Sequence, residues 1–103
     1  MKLIEELEEL IEEEISDEKK YAKMAIKLKH EHPGLAQTLY TISTQEEGHK
    51  NMLHNEVVKI IESYRAQHGA PPAEMAAVYD YIHKKHIEKA ADAKRYQEMY
   101  KTT

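Results

Sequence analysis

The sequence predicts an all-α protein, a long antiparallel helical hairpin followed by a third helix. Three observations carry this reading. Apolar residues recur at alternating spacings of three and four, the signature of one covered helix face. Glycine and proline number only three each, and they gather at His32-Pro33-Gly34 and His68-Gly69-Ala70-Pro71-Pro72. Charged residues make up 33% of the chain and hydrophobic residues 41%, which suits well-solvated helices around a modest core.

Proline disfavours helix in the residue before it and suits the first turn of the next helix. The two breaks therefore predict helices near 2–31, 34–67 and 72–100, each roughly 45 Å long at 1.5 Å per residue. Short connections between long helices imply antiparallel neighbours. The 103 residues read as one domain, with no internal repeat and no linker.

The first helix carries a heptad stripe: Ile4, Leu7, Ile11, Glu14, Glu18, Tyr21, Ala25 and Leu28. Its other glutamates, Glu5, Glu6, Glu8, Glu9, Glu12 and Glu13, lie off the stripe and read as a solvated face. The second helix carries Leu35, Leu39, Ile42, Glu46, His49, Leu53, Val57, Ile60 and Tyr64, and a second edge, Val58 and Ile61, is placed to meet the third helix. In the third, Met75, Tyr79, Ile82, His86, Ala90, Ala93 and Tyr100 form a less continuous row.

Composition excludes several classes of function. The absence of cysteine rules out disulfides and thiolate metal sites and leads us to expect a reducing, cytoplasmic compartment. A net charge of −4 argues against a nucleic-acid surface, which needs clustered Lys and Arg. No apolar run approaches the roughly 20 residues of a membrane span. The N-terminal Met-Lys-Leu-Ile-Glu-Glu turns acidic at once and does not read as a secretory signal.

Polar residues replace apolar ones near the centre of the first two stripes. Glu46 and His49, three apart, project from one face about a turn from each other. A carboxylate and an imidazole on a covered face must be neutralised, hydrogen-bonded or bound to something. A metal ion would satisfy both, and so would a Glu–His hydrogen bond across the hairpin. Counting from the loop at residues 32–34, Glu14 falls level with this pair to within about a turn. Glu14, Glu46 and His49 are thus candidate metal ligands. Glu18, one turn on, is an alternative ligand or a supporting group. His83 and His86 form a second i, i+3 pair, which reads as a surface pair, as a completion of the site, or as a separate weak one. Gly48, which costs about 1 kcal/mol in a helix relative to alanine, either admits a close neighbour or occupies a tolerant position. Carboxylate-bridged bundles use a Glu from each of two helices and Glu-x-x-His from each of the other two. This chain offers one of each, and a two-fold pair of chains would supply the full set.

Glu14-Ile-Ser-Asp-Glu-Lys-Lys-Tyr21, followed by Glu46-x-x-His49, resembles the first half of a rubrerythrin-type, ferritin-like di-iron protein. The resemblance covers roughly residues 1–65, and the short form is similar to the encapsulated ferritins, in which two chains build the site. It implies a ferritin-like four-helix bundle completed by dimerisation, with Glu14, Glu46 and His49 as ligands of a di-iron centre. It also implies that Tyr21 is a redox-active or buffering residue near that centre. The implied activity is oxidation of Fe(II) in a homodimer or higher homo-oligomer, with an enclosing shell protein as a further partner. Mixed carboxylate and imidazole donors also suit manganese or zinc. The alternative is a non-catalytic metal-binding protein, or a structural bundle whose polar centre fixes register.

Overall fold

A computed structural model describes residues 1–103 as three helices, α1 (Lys2–Leu28), α2 (Pro33–His68) and α3 (Ala73–Thr102), in a rod of 56 × 18 × 18 Å. The breaks fall where proline places them. Pro33 sits in the first turn of α2, and Pro72 is the N-cap of α3. Gly69 caps the C-terminus of α2 at φ 79°, a left-handed conformation that glycine adopts without strain. The first helix ends three residues before the expected boundary, because Lys29–Glu31 turn ahead of Pro33. The other boundaries lie within two residues of expectation.

The hairpin is antiparallel. Ser43 of α2 donates to the Glu18 carbonyl of α1 at 2.6 Å, and Ala36 packs with Ala25 nearer the loop. Helix α3 runs parallel to α1: Tyr79 meets Met1, His86 meets Glu8, and Gln97 meets Glu18. Helix α1 therefore packs along both partners, while α2 and α3 meet mainly through a few side-chain pairs, Ser43 with Gln97, Tyr40 with Tyr100 and His54 with His83.

The α1 stripe divides into two rows under this arrangement. Ile4, Ile11, Glu18 and Ala25, seven apart, are buried. The alternate row, Leu7, Glu14, Tyr21 and Leu28, is only half-buried. The first row faces the seam where all three helices meet. The second faces the side of the hairpin that α3 leaves open. At 100° per residue, Glu14 sits roughly 140° round α1 from Glu8, Glu12 and Lys19, the residues that reach α3. Leu3, Leu10, Met24 and Leu35 are exposed on this open side, at 49, 45, 42 and 51%.

Two apolar clusters hold the rod together. Ile4, Ile11, Ile15 and Val57 form one; Ala25, Ala36, Leu39 and Tyr100 form the other. Alanines permit close approach at the loop end, where Tyr100 also stacks on Tyr40 at 4.7 Å. Between the clusters lies a polar layer. The Gln97 amide donates to Glu18 Oε1 at 3.0 Å and to Ser43 Oγ at 2.9 Å, and all three residues are fully buried. Val58 and Ile61 do not close against α3. They line a groove instead. A methyl group on Gly48 would meet nothing within 4 Å, so no close approach explains this glycine.

Ile11→Ala should lower the unfolding free energy by about 2–5 kcal/mol, while Met52→Ala, at a residue 68% exposed, should change it by less than about 0.5 kcal/mol. Gly48→Ala should raise it by up to about 1 kcal/mol. Urea denaturation at matched protein concentration reads all three.

Candidate metal centre

The structure brings Glu14, Glu46 and His49 together on the open side of the hairpin. One ligand-type atom from each lies within 4.8 Å of the others. His49 Nδ1 is 3.5 Å from Glu14 Oε2 and 3.7 Å from Glu46 Oε2. These distances are too long for good hydrogen bonds. Glu14 Oε2 is itself buried and accepts none. The two carboxyl side chains are mostly covered, at 27% and 17% exposed, while the imidazole is 57% exposed. Helix geometry explains the convergence. Glu46 and His49 share a face by their i, i+3 spacing, and the antiparallel register set by Ser43 and Glu18 brings Glu14 level with them.

The electrostatics match a cation site. A proton shared with Glu14 holds the Glu46 carboxyl above the ordinary range, burial and the negative charge of Glu14 add to this, and His49 opposes it. A cation placed among the three would remove the need for that proton. Two carboxylates and an imidazole with ligand-type atoms this close together would hold a divalent ion. The donor set therefore fits a divalent ion. Three donors from one chain would leave the remaining coordination positions of such an ion to other ligands.

The other residues singled out by the sequence lie elsewhere. Glu18 does not join the group. Its carboxylate is held by Gln97 and faces Lys50 Nζ at 3.6 Å, on the buried row of α1. Burial pushes its carboxyl upward, and the Lys50 ammonium pulls it back. His86 is buried beside Glu8, with Nδ1 2.9 Å from Glu8 Oε2, and burial holds its imidazole below the usual range against the pull of Glu8 and Glu12. His83 stacks on His54, ring centroids 5.2 Å apart. Neither histidine of α3 therefore joins the Glu14–Glu46–His49 group or completes it. Tyr21 packs against the Ala25–Ala36–Leu39–Tyr100 cluster. Two helical turns, roughly 10 Å, separate it from Glu14 along α1.

Sequence reasoning passed over Gln97 and Ser43, the partners that hold Glu18. Both sit at helical spacing from stripe members, Gln97 four after Ala93 and Ser43 four after Leu39, and that spacing is the signal that marks them.

The raised Glu46 carboxyl fixes the sign of a pH effect. A group whose folded-state pKa is raised stabilises the fold below the unfolded pKa, and that stability is lost as pH rises through the folded value. Metal-free Glu46→Gln should therefore melt higher than the parent chain at pH 7. The gap should close as the pH falls below about 4.3, the ordinary glutamate value. Thermal melts in chelator across pH 3.5–7.5, roughly the span either side of that value, read this directly.

Comparison of the chain with family models, characterised proteins and solved structures finds no match.

Proposed function

We propose that this protein binds a pair of divalent metal ions, with iron as the physiological metal, at a centre shared by two copies of the chain, and that it oxidises Fe(II) there. The observation that carries this reading is the convergence of Glu14, Glu46 and His49 within 4.8 Å on the open side of the hairpin. Glu and His donors without thiolate suit iron or manganese, and the Glu14…Tyr21…Glu46-x-x-His49 pattern resembles half of a di-iron site. When bound, iron supplies one-electron chemistry toward oxygen or peroxide. The protein's residues hold and orient it: Glu14 and Glu46 offer the negative charge, and His49 offers a neutral nitrogen donor.

Sharing between two chains is supported by the surface around the site. Exposed Leu3, Leu10, Met24 and Leu35 lie on the same side, a patch suited to a partner. The charges of α1 are also sorted along its length. Residues 5–18 carry nine acidic side chains and no Lys or Arg, while residues 19–29 carry five lysines and no acid. Glu6, Glu13, Lys20 and Lys27 are exposed, and none has an ion-pair partner within the chain. An antiparallel two-fold pairing of α1 with its copy brings Glu6 opposite Lys27 and Glu13 opposite Lys20. It also brings Tyr21 within about two residues' rise, roughly 3 Å along the axis, of the partner's Glu14.

Anaerobic Fe(II) titration followed calorimetrically should saturate at one ion per chain and fail in Glu46→Ala and His49→Ala. Admitting oxygen should consume it in proportion to bound Fe(II). Stoichiometric binding without oxygen consumption would select the non-catalytic reading. Weak binding indifferent to both substitutions would remove the site altogether.

The charge pairing makes its own prediction. Glu13→Lys should weaken self-association on the order of tenfold, because the two-fold axis counts each exposed pair twice at up to about 1 kcal/mol. Glu13→Lys with Lys20→Glu should restore it. Sedimentation equilibrium at low salt measures both.

A further inference from the structure

The start of α1, the C-terminal part of α2 and the N-terminal part of α3 enclose a groove of about 530 Å3. That volume falls in the range of small-molecule sites, roughly 300–1,000 Å3. Its walls are apolar: Ile4 from α1, Val57, Val58 and Ile61 from α2, Met75 and Tyr79 from α3. None of these residues belongs to the candidate metal centre.

The charged groups of the lining are paired with one exception. Glu8 lies 2.9 Å from His86, and Asp80 lies 3.0 Å from Lys84. The Tyr79 hydroxyl accepts a hydrogen bond at 2.9 Å from the Met1 amine. His54 and His83 stack on each other at the inner end. Burial and the neighbouring His83 keep His54 below the usual imidazole range. Arg65 is the exception. It is the only Lys or Arg in the lining, and no carboxylate lies within 4.0 Å of it.

The dimensions select among occupants. From His54 to Arg65 the groove follows α2 for eleven residues, roughly 16 Å at 1.5 Å per residue. An extended alkyl chain of medium length matches that span and the apolar walls. An organic cation would meet the charge of Arg65. A polar ligand would lose water against Val57 and Ile61 without gaining partners. A carboxylate can take a bidentate hold on the guanidinium fork.

We propose that this groove binds a medium-chain carboxylate, with its alkyl chain between α2 and α3 and its head group on Arg65. Titration calorimetry with sodium decanoate, below its micelle concentration, tests the assignment on the full chain. Decanol and decyltrimethylammonium serve as head-group controls. We expect saturation at one decanoate per chain, about tenfold weaker binding in Arg65→Gln, and decanol binding that Arg65→Gln leaves unchanged. Ala76→Phe, which puts a ring into the groove, should abolish both. If that variant fails to fold by circular dichroism, the Arg65→Gln and head-group comparisons still decide. No saturable decanoate binding, equal binding of the cation, or decanoate binding indifferent to Arg65→Gln would overturn the proposal.

Discussion

Every other feature of this structure depends on how α1 is shared. It is the one helix that packs along both neighbours, and its heptad stripe has two rows of different standing. Ile4, Ile11, Glu18 and Ala25 are buried in the seam, while Leu7, Glu14, Tyr21 and Leu28 remain half-covered. Burying an aliphatic side chain contributes about 1.5–3 kcal/mol. The first row therefore contributes to both apolar clusters that hold the rod together, and the second is left with surface still to bury. The candidate metal ligands and the exposed leucines both belong to that unfinished side. An elongated chain of this size has little interior of its own, and association is the ordinary way to enlarge it.

The two central glutamates of α1 illustrate how one turn of helix separates two roles. Glu18 falls on the seam row, where Gln97 donates to it and Lys50 stands at 3.6 Å. A buried carboxylate with such partners fixes register: the Glu18–Gln97–Ser43 layer ties three helices at one level. Glu14 falls on the open row, with a second carboxyl and an imidazole beside it. Two carboxyl groups held this close disfavour each other's charge, and a cation between them would relieve that repulsion. The same sequence feature, a glutamate on an apolar stripe, thus gives a structural tie at one position and a candidate ligand four residues earlier.

The hairpin and its polar centre were legible because periodicity and punctuation are local signals. Pro33 and Pro72 place the breaks, and the i, i+3 spacing of Glu46 and His49 with the register from the loop brings Glu14 level with them. The rotation of α3 was not legible to the same degree. Its covered row mixes Tyr79, His86, Ala93, Gln97 and Tyr100, so polarity does not mark the inward side. His86 and Gln97 are buried because Glu8 and Glu18 await them on α1, and those pairings appear only once the helices are packed. The open groove escaped for a related reason. Val58 and Ile61 read as an edge that would meet α3, but α3 is tied to α1 through Glu8, Glu12 and Lys19 and does not reach them.

The central claim is that one chain holds half a centre and a second chain completes it. Native mass spectrometry of the protein loaded anaerobically with Fe(II) tests this most directly, since it counts chains and ions in the same particle. Bound metal is then expected in particles of even chain number, with two ions for every two chains, and Glu46→Ala particles should carry none. Single chains holding one ion as tightly as the assembled form, or assembled particles that exclude metal, would contradict it.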